Sequence, residues 1–195
     1  MKKLFVLVFA MTITMVASAQ ITWNAKLGGG IAICAGGNGD GDMKPKFVGK
    51  AGVGIEYSLS ANFSLMPSIE IAMKGTKWEG KLSTYGSQSE TYSPIYIQIP
   101  ILGAYRLNLS DDWNLTLKAG PYFAYGVSGK IDASGYYGSA DADMFSDLEA
   151  KRLDAGVDAG IDFEYHRFVF GLEYERGFVS FAPSYVDESI FNQAI

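Results

Sequence analysis

From Arg152 to His166 the chain reads RLDAGVDAGIDFEYH, and apolar and polar residues alternate without a break. Leu153, Ala155, Val157, Ala159, Ile161, Phe163 and Tyr165 hold the odd places. Asp154, Gly156, Asp158, Gly160, Asp162 and Glu164 hold the even ones. A helix would scatter the apolar groups around its circumference. A strand puts all of them on one face, because side-chain direction reverses at each residue.

Six other segments repeat this period of two. TWNAKLGGGIAI sets Trp23, Ala25, Leu27, Ile31 and Ile33 against Asn24, Lys26, Gly28 and Gly30, and FVGKAGVGIEYSL sets Phe47, Ala51, Val53, Ile55, Tyr57 and Leu59 against Lys50, Gly52, Gly54 and Glu56. FSLMPSIEIAMK, IYIQIPILGAYRL, WNLTLKAGPYFAYGVS and RFVFGLEYERGF do the same, with Ser68, Glu70, Lys74, Gln98, Arg106, Lys118, Glu173 and Glu175 on their polar faces. The connections alternate in length. Long ones, CAGGNGDGDMKPK, about Thr76 to Ser93 and about Gly129 to Lys151, are interleaved with tight ones at Ser60–Asn62, Asn108–Asp112 and His166–Arg167. Short turns at one end and long loops at the other are the rhythm of an up-and-down outer-membrane barrel.

Two barrels could carry such alternation: a soluble one with apolar groups inside, or a transmembrane one with apolar groups facing lipid. The apolar face carries almost no charge over seven strands, and the polar face is crowded with glycine, which suits the narrow bore of about eight strands. Aromatic residues gather at strand ends, among them Trp23, Tyr57, Phe63, Trp113, Tyr125, Tyr165, Phe168 and Tyr174, as interfacial girdles require. The expectation is therefore an all-β, up-and-down antiparallel transmembrane β-barrel of nominally eight strands, seven of them clear. Its inward face holds Lys26, Lys50, Lys74, Arg106 and Lys118 together with Glu56, Glu70, Asp154, Asp158, Asp162, Glu164, Glu173 and Glu175. In a confined bore such charges are expected to pair, as a salt-bridged structural plug. A cation-biased conducting or ligand-binding lumen is the alternative.

Composition narrows the picture further. The net charge is −5, and no basic stripe marks a nucleic-acid partner. Lys2 and Lys3, the apolar run Leu4 to Val16 and the Ala17-Ser18-Ala19 cleavage site predict a signal peptide over residues 1–19, with the barrel domain over 20–195. The apolar run is too short for a bilayer-spanning helix, which needs about 20 residues. Cys34 is the single cysteine, so no internal disulfide is expected.

No catalytic constellation is visible. His166, the single histidine, falls in a tight turn, and Ser128 lacks the GxSxG spacing of a nucleophile elbow. Asn38, Asp40 and Asp42 begin like a calcium loop, but Met43 and Gly49 stand where the pattern needs Gly and Glu. Asp141, Asp143, Asp147 and Glu149 read as an exposed loop, and Tyr85, Tyr92, Tyr136 and Tyr137 as loop residues. Neither a cofactor nor a metal is expected.

The opening TWNAKLGGGIA, the GVGIEYSLSANFSLMPSIEIAMKG hairpin, IQIPILGAYRLN followed by LKAGPYFAYGVSG, and DAGVDAGIDFEY resemble the PorT-like outer-membrane β-barrel family over most of residues 20 to 178. The resemblance implies a small exported barrel in the outer membrane of a Gram-negative cell, and some relatives serve secretion or envelope assembly. Family members usually close with a strand ending in an aromatic residue. Here that strand should begin at Phe191-Asn192-Gln193-Ala194-Ile195, so the expectation is a C-terminally truncated eight-stranded barrel.

The expected function is that of a non-enzymatic envelope or surface-interaction protein whose external loops carry specificity; a narrow, porin-like transport channel or an accessory barrel of a secretion system comes second. Expected partners are outer-membrane lipid and lipopolysaccharide, with periplasmic chaperones and the barrel-assembly machinery during biogenesis. N-terminal sequencing of the protein recovered from the envelope should begin at Gln20; a sequence still beginning at Met1 would refute the cleavage.

Overall fold

The computed structural model describes residues 21–35, 41–82, 86–135, 138–147, 149–182 and 190–195. The expected signal peptide, the start of the calcium-like loop (Asn38 and Asp40), Tyr85, Tyr136 and Tyr137 lie outside the described residues.

Each alternating segment forms a strand, and among the described residues there are eleven: β1 (Ile21–Ala35), β2 (Gly41–Lys44), β3 (Lys46–Ser58), β4 (Phe63–Met73), β5 (Thr76–Leu82), β6 (Gly86–Asn108), β7 (Trp113–Gly135), β8 (Gly138–Asp143), β9 (Leu153–Tyr165), β10 (Phe168–Gly177) and β11 (Phe191–Ala194). Eight close a ring in the order β1-β3-β4-β6-β7-β9-β10-β11, every neighbouring pair antiparallel. The eighth place is taken by β11, which is only four residues long. It pairs with Ala32–Ala35 of β1 and with Glu175 and Arg176 of β10.

The ring is inside out relative to a water-soluble barrel. Trp23, Leu27 and Phe47 keep 79, 88 and 88 % of their surface open, whereas Glu70, Lys74 and Asp158 keep 1, 2 and 0 %. Apolar surface on that scale is costly in water and favourable against hydrocarbon, so the wall is built for lipid. Glycine lets the charged bore fill. A Cβ on Gly171 would stand 1.9 Å from Asp162 Oδ1, and one on Gly52 2.6 Å from the Glu70 side chain. At the end with the short turns, Trp113 and Tyr165 stack with ring centroids 4.7 Å apart, and the turn at His166 takes a positive φ of 55°.

The long connections depart from expectation, because they are not loops throughout. β2, β5, the start of β6, the end of β7 and β8 continue past the ring as a sheet ordered β2-β5-β6-β7-β8. Extending a ladder from strands already paired closes no new long loop, so each added pair costs little chain entropy. TKWEGKL of β5 is itself alternating, with Thr and Trp among its residues, and suits this role. A register shift between Ile95 and Tyr96 marks where β6 passes from the ring towards this extension.

Ile161 is an outward residue in the middle part of β9. Ile161→Arg should lower unfolding free energy in vesicles by about 2–4 kcal/mol, the range for a basic residue near the bilayer midplane. Urea titration followed by tryptophan fluorescence measures it, and an unchanged midpoint would contradict a lipid-facing wall.

Candidate functional site

The polar faces of the eight strands converge on one bore, and all thirteen charged residues singled out on them lie in ion pairs there. Lys50 on β3 is the hub. Its ammonium meets Glu173, stands 2.7 Å from Glu175, 3.6 Å from Glu70 and 3.9 Å from Asp158. Lys118 on β7 bridges Asp162 at 2.8 Å and Glu173 at 2.6 Å. Lys26 on β1 contacts Glu70 and lies 3.8 Å from Glu173. Nearer the short-turn end, Arg106 joins Glu56 at 3.0 Å and Glu164 at 3.2 Å. Lys74, 2 % exposed, reaches Asp154 at 3.1 Å and Glu175 at 3.4 Å.

Neutral groups lock the same carboxylates. Gln98 donates to Glu175 at 2.9 Å, Ser68 to Glu70 at 2.6 Å, and Tyr122 and Asn192 to Asp154 at 3.2 and 3.0 Å. The Lys74 ammonium also sits 4.1 Å from the Tyr122 ring centroid, a cation–π contact. Asp158, Glu173 and Glu175 bring one carboxylate oxygen each within 4.8 Å of one another, and the Lys50 ammonium contacts all three. The lysine thereby does the work of a bound cation.

Above this network the bore is shut by an apolar cap that the alternation does not reveal. Tyr96 and Tyr122 project inward from β6 and β7. Met144 and Phe145, just past β8, and Phe181, past β10, fold in over them with Cys34, Ile131 and Ala150. Tyr96 meets Phe145 edge-on with centroids 6.3 Å apart. The one sequence trace of the cap is the pair Gly126 and Gly129, since a Cβ on either would strike the Phe145 ring. Cys34 is a buried free thiol on the inward face of β1.

The other candidates separate. His166 lies at the short-turn end, 3.7 Å from Asp112 and far along β9 from the Lys74–Asp154 pair. Of the acidic stretch, Asp143 accepts the Ser146 and Phe145 amides at 2.8 and 2.9 Å, which hold its carboxyl below the usual range. Asp147 in turn accepts the Asp143 amide. These carboxylates cap a turn. Tyr92 lies within β6 and donates to Glu90 at 2.7 Å. On the external sheet Lys44 and Lys77 flank Glu79 across the β2–β5 pair.

A ring with a lipid-facing wall, an ion-paired bore and an external sheet defines an outer-membrane barrel. Residues 11–182 match the outer membrane protein beta-barrel domain family, and the chain belongs to it. The fold is also similar to that of Ail, the attachment invasion locus protein of Yersinia pestis, at 12% identity and a TM-score of 0.40, covering 88% of this chain and 93% of that one. The structure of the same protein in complex with the heparin analogue sucrose octasulfate gives 13% identity and a TM-score of 0.34, covering 87% and 93%. No curated protein sequence matches the chain.

Lys50→Met should destabilise the barrel by about 3–5 kcal/mol, because it removes a cation shared by four carboxylates and takes from Asp158 the ammonium that faces it. Adding Glu173→Gln should restore part of that loss. Urea unfolding of both variants in vesicles reads the effect, and a Lys50→Met protein as stable as the parent would show that the hub is dispensable.

Proposed function

We propose that this chain is a non-enzymatic outer-membrane protein that acts through its external surface, with the barrel as a rigid anchor. The observation that supports this reading most is the double closure of the bore. Interlocked ion pairs cross it, and the Tyr96–Tyr122–Phe145–Phe181 cluster packs over it at the end nearer the external sheet. Conduction would need the cap to open and several buried pairs to separate, each at a cost of several kcal/mol per ion. What the ring leaves available to partners is the β2-β5-β6-β7-β8 sheet, which carries exposed Lys44, Lys130, Asp132 and Asp141 along its strands.

In this reading the chain is exported by its cleaved signal peptide and inserted by the periplasmic chaperones and barrel-assembly machinery. Its wall meets outer-membrane lipid, lipopolysaccharide included. The PorT-like resemblance belongs to the same proposal. So does the absence of enzymatic chemistry, which the turn position of His166 and the capping role of Asp143 support.

Planar-bilayer recording is the direct test. The purified barrel should insert without steady unitary currents, whereas Phe145→Ala combined with Lys74→Ala should begin to leak ions. Regular conductance steps from the unaltered protein would overturn the anchor reading in favour of a channel.

A further inference from the structure

Two carboxylates of the bore stand directly opposite one another. In the β9–β10 ladder Asp158 pairs with Glu175, and Glu173 lies two residues along the same face. Like charges opposite each other in a sheet repel, so the strand register gathers three groups that need a cation between them. One oxygen from each lies within 4.8 Å of the other two.

Lys50 meets this need only in part. Its ammonium donates to Glu173, and to Glu175 at 2.7 Å, but stays 3.9 Å from Asp158. Asp158 is 0 % exposed, and neither of its carboxylate oxygens receives a hydrogen bond. A buried carboxylate without donors is costly. Gln98, also 0 % exposed, turns its amide nitrogen to Glu175 and leaves its Oε1 without a donor. Glu70 Oε2 is unmet as well, and it lies 3.6 Å from the Lys50 ammonium. The unmet atoms around Lys50 are thus all oxygen acceptors, and what they lack is positive charge.

Formal charge leans the same way. Ion pairs join Lys26, Lys50, Lys74 and Lys118 to Glu70, Asp154, Asp158, Asp162, Glu173 and Glu175. Four cations against six carboxylates leave this linked set two positive charges short. One divalent ion supplies both. Donors that are all carboxylate or amide oxygen suit a hard ion of the calcium type rather than a transition metal.

We propose that Asp158, Glu173 and Glu175 form a binding site for one such divalent cation, with Lys50 as its built-in competitor. When the ion enters, the Lys50 ammonium leaves Glu173 and Glu175 and moves to Glu70 Oε2. The ion takes an oxygen from each of the three carboxylates, and the neighbouring Gln98 Oε1 and water complete its shell. The linked set is then neutral, and β9 and β10 gain a tie where their inward carboxylates oppose each other. The side chains of Lys50 and Glu173 keep 19 and 15 % of their surface open, which gives the ion a way in. This site goes beyond the anchor reading and holds whichever partner the external sheet meets.

The test uses the full mature chain, stripped with a chelator and held in micelles of a zwitterionic detergent, with calcium chloride as the probe. Isothermal titration should show saturable uptake of one ion per chain. Asp158→Asn should weaken it at least ten-fold. Lys50→Met, which removes the competitor, should tighten it at least ten-fold, and Asp141→Asn on the external sheet should leave it unchanged. Manganese, a paramagnetic stand-in, locates the ion in the unaltered chain, so the outcome does not hang on a variant that fails to fold. It should broaden the amide signals of Asp158 and Glu173 ahead of those of Asp141 and Asp143. No saturable uptake, an affinity indifferent to Asp158→Asn or to Lys50→Met, or broadening led by Asp141 and Asp143 would overturn the proposal.

Discussion

Lipid offers a backbone amide nothing to bond with, and this single constraint organises the molecule. It requires the strands to pair on both sides, and hence to form a ring. The ring in turn gives every residue an inside or an outside. With hydrocarbon beyond the wall, the apolar half of each alternating strand goes out, and the polar half is confined to a bore too narrow for much water. The places where the constraint is met most fully, such as the continuous β7–β9 ladder from Trp113 to Tyr125, are also the most regular in the structure.

Confinement then decides the electrostatics. Thirteen charged side chains in one bore cannot each keep a hydration shell, so they share partners. Lys50 serves four carboxylates, and Glu173 takes contacts from Lys26, Lys50 and Lys118. These contacts tie β1, β3, β7 and β10 together across the interior, so the network cross-braces the ring as well as filling it. The cap adds a second closure by another means, burying the aromatic rings of Tyr96, Tyr122, Phe145 and Phe181 where the charged layer ends. In the function proposed above, the interior serves structure and interaction falls to the sheet that extends beyond the ring.

Much of this could be read before folding. The period of two, unbroken from Arg152 to His166, identifies strands. The tight turns at Ser60–Asn62, Asn108–Asp112 and His166–Arg167 pair them as neighbours. Parity assigns Lys118 and Asp162 to the same face. These signals are local, because side-chain direction in a strand depends only on position along it. The external sheet was less legible, since GDMK and GSADAD are short polar segments whose strand character comes from the neighbours they lie against. Phe145 and Phe181 carry no periodic signal at all.

By itself, then, the order of residues determined strand identity, strand neighbours, the orientation of the wall and the set of charges turned inward, because each follows from alternation and turn length. Tertiary structure alone decided which carboxylate meets which ammonium, and that Phe145 and Phe181 pack over Tyr96 and Tyr122 at the end of the charged layer. Those features are contacts between segments distant in the chain. Their geometry depends on how far round the ring each strand is carried and how it is staggered, which no short stretch of sequence contains.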